Sequence, residues 1–409
     1  MNTTGIRFIE ELDLKEKTVF IRCDFNVPLD KDGNITDDTR IRAALPTITR
    51  ALAGQNTKVI LASHLGRPKG EYDAKYSMVP VGQRLSELLG YEVIIPEDVM
   101  DSHVDTLLEN LAPDRQIILL ENLRFHPGEK KNDKAFASRL ASLANVYVND
   151  AFGTAHRAHA STYGMVEYFD QKTKARVGGY LLRAELEQLG MLLERPERPF
   201  IAVMGGAKVS DKLGVLLSLV DRVQGVIIGG AMAYTFLKAQ GVEVGNSRVE
   251  EDLLDDAAAI LKRAAQSNVS IHLPLDHVIV ENFDDDKGIT TPDAAIPEGM
   301  MGLDIGPKTR AHYDDVLSTA KTVFWNGPMG VFERDAFAAG TFAVARAIAS
   351  SDAKSVVGGG DSASAVQKAG LKDRITHVST GGGASLELVE GRKLPGVEAL
   401  RAHHPFDLG

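Results

Sequence analysis

Short apolar, β-branched runs alternate along the chain with longer stretches in which apolar residues recur at helical spacing. In the first half these patterns predict strands at 18–22, 58–62, 116–120 and 146–148, and helices at 38–53, 79–89 and 134–144. Strands that alternate with helices of about 10–15 residues are typical of βαβ units and parallel sheets.

The second half repeats this alternation. It predicts strands at 200–204, 225–228, 269–273, 322–325, 355–357 and 377–379, and helices at 211–220, 232–240, 251–267, 336–350, 362–369 and 385–390. We therefore expect an α/β protein with two doubly wound, Rossmann-like parallel-sheet domains. Ligands of such open sheets bind outside the carboxyl ends of the strands, so we expect a hinge cleft between the domains.

A predicted helix over 179–194, followed by the Pro-punctuated segment RPERP, separates the two halves. The expected domains are residues 1–177 and 199–390, joined by an interdomain helix and linker at 178–198. Residues 391–409 form a C-terminal tail that is able to pack back on the N-terminal domain. For its end, residues 401–409, we expect a disordered segment, with packing on the N-terminal domain as the alternative.

Composition narrows the possible functions. The 409 residues are 44% hydrophobic and 25% charged, which is ordinary for a globular protein. The single cysteine, Cys23, excludes a disulfide scaffold. A net charge of −10 argues against binding to nucleic acid or to an anionic membrane. With no signal-like start and no long apolar stretch, we expect a soluble, cytoplasmic monomer.

Glycine clusters follow four predicted strands of the second half. They are GGAK at 205–208, GGA at 229–231, GGGDS at 358–362 and TGGG at 380–383. One such cluster is as well explained by a tight turn, but four at the same topological position favour backbone N–H groups that bind a phosphate-rich ligand. The sequence contains no Walker A loop and no dinucleotide-binding fingerprint. Lys208 and Lys212, four residues apart beside one turn, are able to face the same anion.

In the first half, cations and amides follow the predicted strands. These candidates are Asp24, Asn26, Arg40, His64, Arg67, Arg124 and Arg157, with His156 and His159 nearby. Several guanidinium groups at one sheet edge suit a small, doubly anionic substrate. The three histidines have no carboxylate at metal-ligand spacing, so we do not expect a zinc site.

Eight segments, in order, carry a resemblance to a known family: RCDFNVP, SHLGRP, LENLRF, NDAFGTAHRAH, GGAKVSDK, WNGPMGVFE, GGGDS and STGGGASLELVEG. Over residues 18–396 the chain resembles phosphoglycerate kinase. The resemblance implies a hinge-bending, ATP-binding transferase of glycolysis and gluconeogenesis. Such an enzyme moves a phosphoryl group reversibly between 1,3-bisphosphoglycerate and Mg-ADP, to give 3-phosphoglycerate and Mg-ATP.

The resemblance also implies roles for individual residues. The substrate site would comprise Asp24, Phe25, Asn26, Arg40, His64, Leu65, Gly66, Arg67, Arg124 and Arg157. The nucleotide site would comprise Lys208, Lys212, Gly230, Gly302, Asn326, Glu333, Gly359, Gly360, Asp361 and Ser362. Glu333 would hold the ribose and Asp361 the Mg²⁺. The catalytic groups would be Arg40, Lys208, Lys212, Gly381, Gly382 and Gly383.

The chemistry of these residue types agrees with that activity. A carboxylate nucleophile is already ionised near neutral pH and needs no general base. Phosphoryl transfer then depends on positioning and on stabilising the charge of the transition state, which cations and backbone amides provide. One departure from the family pattern is Ala231, where a third glycine is usual; its methyl group would crowd an adenine ring.

Two other functions remain open at this stage. One is a different kinase that acts on another small acid or acyl phosphate. Against it, Arg67, Arg124 and Arg157 carry more positive charge than an unphosphorylated acid needs. The other is a non-catalytic metabolite-binding protein of the same fold, although binding alone does not require Arg40, Lys208, Lys212 and Asp361 together.

Overall fold

The computed structural model describes residues 3–170 and 172–406. The chain forms two compact units. The N-terminal unit contains the described residues up to Glu187 together with those from Lys393 onward, and the C-terminal unit runs from Gln188 to Arg392. The chain therefore passes from one unit to the other twice.

A six-stranded parallel sheet forms the centre of the N-terminal unit. Its strands are β1 (Thr18–Cys23), β2 (Lys58–Ala62), β3 (Glu92–Ile94), β4 (Gln116–Leu119), β5 (Val146–Asp150) and β6 (Ala175–Gly178). They lie in the order β3-β4-β2-β1-β5-β6. The four predicted strands are present, whereas the short strands β3 and β6 at the two edges were not predicted.

Helices α1 (Thr39–Leu52), α2 (Val79–Leu89), α3 (His103–Asn110), α4 (Pro127–Lys131) and α5 (Lys134–Ser142) follow these strands. Asp133 caps α5 by accepting a hydrogen bond from the Phe136 N–H at 2.9 Å. Gly90 ends α2 in the left-handed conformation. Helix α3 was missed because it buries only Val104, too little for a clear apolar period.

The C-terminal unit contains a second six-stranded parallel sheet. The elements of this half are α6 (Tyr180–Glu194), β7 (Phe200–Met204), α7 (Leu213–Leu219), β8 (Gly225–Ile228), α8 (Met232–Ala239), α9 (Leu254–Gln266), β9 (Ser270–His272), β10 (His277–Val280), β11 (Ile289–Thr290), β12 (Met301–Ile305), α10 (Pro307–Ser318), β13 (Thr322–Asn326), α11 (Ala339–Ser350), β14 (Lys354–Gly358), α12 (Gly360–Lys368), β15 (His377–Val378) and α13 (Gly383–Val389). The parallel sheet has the order β15-β14-β13-β7-β8-β9. The two predicted doubly wound sheets are thus confirmed.

A separate three-stranded antiparallel sheet, with the order β11-β10-β12, was not predicted. Strand β11 has only two residues, and long loops separate the three strands. Alternation over so few residues gives too weak a pattern to be recognised.

In each large sheet, the strand that comes first in the chain lies inside the sheet, with later strands paired on both of its sides. Strand β1 lies between β2 and β5, and β7 lies between β8 and β13. The loops that leave the carboxyl ends at such a point run to opposite sides and open a crevice. This topology locates the expected ligand sites at the ends of β1 and β7.

The expectation of a disordered tail over 401–409 is wrong for residues 401–406, and the preceding residues 393–400 are ordered as well. Helix α14 (Pro395–Glu398) packs on the N-terminal unit: the Gly396 N–H donates to the Ala155 carbonyl at 2.8 Å, and Gly396 accepts from Asn149 Nδ2 at 3.2 Å. Further along, His404 Nε2 lies 3.1 Å from the hydroxyl of Tyr163. Residues 407–409 lie outside the described part of the chain.

None of the helices in the described ranges has the length and apolar character needed to cross a membrane.

A buried carboxyl group joins β5 to the start of α6. Asp150 is fully buried, and its Oδ1 accepts from the Leu182 N–H at 3.2 Å. Its Oδ2 has no hydrogen-bond partner among the described residues. Burial raises the pKa of Asp150 to about 7, although hydrogen bonds from Thr47 and from the α6 backbone act in the opposite direction.

We expect Asp150→Asn to change stability in a pH-dependent way. An unfolded aspartate titrates near pH 4, so the folded protein binds the extra proton and loses stability as pH rises towards 7. The free energy of unfolding of the variant relative to the wild type should increase from pH 5 to pH 7, by up to about 1.4 kcal/mol per pH unit, and then level off. The difference between the two thermal midpoints, measured from pH 5 to pH 8, should follow it.

Asp170→Asn is the matched control. Backbone N–H groups of Thr173 and Lys172 lower the pKa of Asp170 to about 2, so this carboxylate stays ionised throughout the same range. Its midpoint difference from the wild type should not vary with pH. A constant difference for Asp150→Asn as well would contradict the assignment.

Candidate active site

Four predicted site residues of the N-terminal unit follow four adjacent strands. Asp24 comes directly after β1, His64 two residues after β2, Arg124 five residues after β4 and Arg157 seven residues after β5. Because the strands are parallel, their carboxyl ends lie on one edge of the sheet. The structure therefore brings these residues to the same edge.

A buried group of three side chains, which the sequence analysis missed, supports this edge. Arg22 Nε donates to Ser161 Oγ at 2.7 Å, and Ser161 Oγ in turn donates to Glu129 Oε1 at 2.6 Å. Arg22 Nη2 lies 3.9 Å from the same carboxylate. Arg22 and Glu129 are fully buried, so each charge needs the other as a partner.

Arg40 and Asp24 form an ion pair at the end of β1. Arg40 Nη1 donates to Asp24 Oδ2. Burial of Asp24 would raise its pKa, but the charges of Arg40 and Arg22 outweigh that effect and hold the pKa below its ordinary value. Arg40, the second residue of α1, is thus held in a defined position by an ionised carboxylate.

His64 is buried and uncharged. Burial, with the cations of Arg22 and Arg124 nearby, lowers its pKa well below the ordinary value. Its Nδ1 lies 3.5 Å from Arg22 Nη2, which is only a donor, so we assign the ring proton to Nε2. The imidazole can therefore donate one hydrogen bond to a ligand without adding charge.

Arg124 has an unsatisfied donor. Its Nη1 donates to the Gly66 carbonyl at 2.8 Å, but its buried Nε has no partner among the described residues. Burial, together with Arg22 and Arg157, lowers the pKa of Arg124 to about 10, which still leaves it cationic. A buried guanidinium N–H without an acceptor is what a site for an anion requires.

Arg157 and Arg67 are both exposed. Arg157 Nε donates to His156 Nε2 at 3.0 Å. The guanidinium of Arg157 is close enough to lower the pKa of Arg124, so it belongs to the same group of charges. Arg67 follows Gly66 directly, and no described contact fixes its side chain in this group. Arg22, Arg40, Arg124 and Arg157 outnumber the carboxylates Asp24 and Glu129, so the edge carries excess positive charge.

The remaining substrate-site predictions form the backbone frame of this edge. Asn26 Oδ1 accepts from the Gly66 N–H at 2.7 Å, and the Phe25 N–H donates to Ser63 Oγ at 2.8 Å. The Leu65 carbonyl accepts from Asn122 Nδ2 at 2.7 Å. Phe25 and Leu65 are buried, so they support the loops rather than present side chains to a ligand.

Three turns of the C-terminal unit meet at the end of β7. The Gly206 N–H donates to the Pro328 carbonyl at 2.9 Å, and the Gly230 N–H donates to the Met329 carbonyl at 3.0 Å. Gly230 has φ +67°, and a Cβ there would lie 2.6 Å from the Gly206 backbone. Only glycine allows this close approach.

Lys212 points from the first of these turns towards β13. Its Nζ donates to Asn326 Oδ1, and Asn326 Nδ2 donates to the Gly358 carbonyl at 2.7 Å. Burial lowers the pKa of Lys212 below its ordinary value, while the charges of Asp211 and Asp361 oppose this shift. Lys208 is exposed on the same turn.

The last two glycine clusters open short helices at the same edge. Gly360 begins α12, with Asp361 exposed in its first turn, and Ser362 Oγ accepts from the Gly327 N–H at 2.6 Å. Gly382 precedes α13, which begins at Gly383, and the Gly381 N–H donates to Ser379 Oγ at 3.1 Å. Strands β14 and β15 are neighbours, so the two clusters are adjacent.

Gly302 and Glu333 lie beside the antiparallel sheet. The Gly302 N–H, on β12, donates to Ser247 Oγ at 3.0 Å, and the Tyr234 side chain packs against this glycine. The next residue of β12, Leu303, accepts from the Val331 N–H at 2.9 Å, which attaches the loop that carries the exposed Glu333.

Comparison with known proteins decides the family. The family model for phosphoglycerate kinase matches residues 9–392. The chain belongs to the phosphoglycerate kinase family. The predictions of a phosphoglycerate kinase and of an enzyme are thereby confirmed, as is the predicted glycolytic kinase activity.

Individual phosphoglycerate kinases align over nearly the whole chain. That of Anaeromyxobacter dehalogenans (strain 2CP-C) is 57% identical over 398 residues, which cover 97% of this chain and 99% of the relative. That of Gloeobacter violaceus is 55% identical over 400 residues, covering 95% and 96%. The structure of the Coxiella burnetii phosphoglycerate kinase superposes with a TM-score of 0.85 at 42% identity, covering 97% and 98%.

Phosphoglycerate kinases use a nucleotide, generally as its complex with Mg²⁺. Among the described residues no three acidic, histidine or cysteine side chains converge as a ready-made cage for a metal ion. Mg²⁺ in such sites is held by one or two carboxylates together with the phosphates of the substrate. The exposed carboxylate of Asp361, close to Lys212, fits that arrangement.

Gly359→Ala should destabilise the protein. Gly359 has φ +91°, and a Cβ there would lie 2.8 Å from Asn326 Nδ2. Strain of this kind costs about 1–3 kcal/mol. Gly360→Ala is the control, because its Cβ would have no neighbour within 4 Å and its φ is ordinary. Calorimetry should show a lower thermal midpoint for Gly359→Ala alone; equal midpoints would contradict the geometry.

Proposed function

We propose that this enzyme transfers a phosphoryl group reversibly between 1,3-bisphosphoglycerate and ADP, giving 3-phosphoglycerate and ATP, with the carboxyl group as acceptor. The observation that carries the proposal is the buried Nε of Arg124, which has no partner among the described residues and lies within a group of charges with excess guanidinium. A substrate with a phosphate at one end and a carboxylate at the other supplies the missing acceptors.

In this proposal, the N-terminal unit binds phosphoglycerate. Arg67, Arg124 and Arg157 bind its phosphate, and His64 donates a hydrogen bond from Nε2. Arg40, held by Asp24, faces the reacting carboxyl group. Asn26 keeps the Gly66 loop in place through its hydrogen bond to the peptide N–H.

The C-terminal unit binds the nucleotide. The phosphates of the nucleotide lie along the turns at Gly230 and Gly359–Ser362. Glu333 holds the ribose beside Gly302. Mg²⁺ bound to Asp361 would neutralise charge on the nucleotide phosphates. Lys212 and Asn326 already form one hydrogen-bonded pair at this edge, so they are preorganised for a charged ligand.

The chemical step then needs cations and donors rather than a base. The carboxylate of 3-phosphoglycerate attacks in the ATP-consuming direction, and it carries no proton at neutral pH. The transferred phosphoryl group spreads negative charge over its equatorial oxygens. Arg40, Lys208, Lys212 and the amides of Gly381–Gly383 stabilise that charge.

Because substrate and nucleotide groups belong to different units, we propose that the units close to bring the reacting atoms to about 3–3.5 Å and to exclude water. The proposal also includes a cytoplasmic monomer, as the sequence analysis expects.

Arg40→Ala should lower kcat far more than it raises KM for 3-phosphoglycerate. Loss of one preorganised donor to the transition state typically costs on the order of 10²–10³ in kcat. Arg157→Ala should mainly raise KM, because Arg157 binds the substrate phosphate. The assay mixes enzyme, Mg-ATP and 3-phosphoglycerate and follows 1,3-bisphosphoglycerate through a coupled dehydrogenase.

Two results would contradict these assignments. Wild-type enzyme without activity in this assay would overturn the proposed reaction. An Arg40→Ala variant with normal kcat and reduced affinity would make Arg40 a substrate-binding residue only.

Asp361→Asn should weaken binding of Mg-ADP on the order of tenfold and leave 3-phosphoglycerate binding unchanged. Loss of the carboxylate removes a hard oxygen ligand that Mg²⁺ prefers. Calorimetric titration of each ligand tests this, with Asp373→Asn, an exposed carboxylate of the same unit, as control. Weaker phosphoglycerate binding with normal nucleotide binding would reverse the assignment of the two units.

A further inference from the structure

The segment that carries Lys208 and Lys212 has no regular secondary structure of its own. It runs from the end of β7 at Met204 to the start of α7 at Leu213. Its peptide N–H groups therefore need partners outside a helix or a sheet. The position of both lysines depends on whatever holds this segment.

Glu250 holds it. The Ser210 N–H donates to Glu250 Oε2 at 3.1 Å, and Ser210 Oγ donates to Oε1 at 2.6 Å. The Val209 N–H also donates to Oε2. One carboxylate thus fixes two consecutive peptides between the lysines. The Lys212 N–H donates to the Val209 carbonyl at 2.8 Å, which extends the turn to the second lysine.

Glu250 is itself attached to the helix that follows the second glycine cluster. Its N–H donates to Oγ1 of Thr235 on α8 at 3.1 Å. At the start of α8, the Met232 N–H donates to the Gly206 carbonyl at 3.0 Å. The lysine segment and α8 are therefore joined at both ends of the turn.

The carboxylate is ionised and close to a lysine charge. Burial would raise the pKa of Glu250, but hydrogen bonds from Ser210 and Val209 and the charge of Lys208 hold it below the ordinary value. Hydrogen bonds to an ionised acceptor are stronger than those between neutral groups.

We propose that Glu250 is a positioning residue for phosphoryl transfer, which acts by holding the 208–212 turn so that Lys208 and Lys212 face the transferred phosphoryl group. In this role Glu250 acts through the two lysines rather than by contact with substrate or nucleotide. The inference rests on the proposed role of the two lysines. A displacement of about 1 Å in such a group can cost about 10²-fold in rate.

The test is a double-mutant cycle between Glu250→Ala and Lys208→Ala. In the wild-type background, Glu250→Ala should lower kcat on the order of tenfold, with KM for 3-phosphoglycerate unchanged because that ligand binds in the other unit. In the Lys208→Ala background, Glu250→Ala should lower kcat roughly threefold or less, since one of the two lysines that Glu250 positions is absent.

Two further variants separate positioning from general stability. Glu250→Gln keeps an acceptor oxygen and should recover part of the lost kcat; it also serves if Glu250→Ala fails to fold. Glu251→Gln is the matched control, because the neighbouring carboxylate is exposed and pairs with Lys238 away from the turn. It should have wild-type kcat.

The outcomes are distinguishable. If Lys208→Ala is strongly impaired but the two substitutions are additive, Glu250 acts independently of the lysine turn and the inference is wrong. If Lys208→Ala retains full kcat, the proposed catalytic role of Lys208 fails and the inference is overturned with it. Equal losses for Glu250→Ala and Glu251→Gln would also overturn it.

Discussion

The reversal of strand order at β1 and at β7 is the constraint on which both sites depend. Each of these strands has later strands on both of its sides, so the loops near its carboxyl end run to opposite sides of the sheet. The crevice between these loops is open to backbone and side-chain donors. In the N-terminal sheet the loops carry arginines; in the C-terminal sheet they carry glycines and lysines. One topology thus positions both sets of groups that we propose as anion-binding sites.

The two units compensate the electrostatic cost of concentrated positive charge in different ways. In the N-terminal unit, buried carboxylates balance part of it: Glu129 pairs with Arg22, and Asp24 pairs with Arg40. In the C-terminal unit, the glycine turns present backbone amides, and Lys212 Nζ donates to the neutral Oδ1 of Asn326. Partial charges fixed in a backbone need no counter-ion, whereas guanidinium groups close together do.

The sequence alone was sufficient to predict the strands in the middle of the sheets and the location of the residues that follow them directly. Asp24 and His64 were recognised because an apolar strand ends just before them. Glu129 could not be recognised, since the segment PGEKK is typical of an exposed helix start and only the fold buries it. An arginine inside the apolar run TVFIRC was the one available signal for Arg22. Glu250 lies 40 residues beyond Ser210, a separation that no local pattern reveals.

The attachment of Gly396 to Ala155 has a consequence for how the protein is made. Residues 393–406 leave the ribosome only after the whole C-terminal unit, yet they contribute hydrogen bonds to the N-terminal unit. Units of a nascent chain generally fold in the order of their synthesis. Here the first unit to emerge is the last to be completed, so it must wait, with the surface under α14 uncovered, until translation has passed through its neighbour.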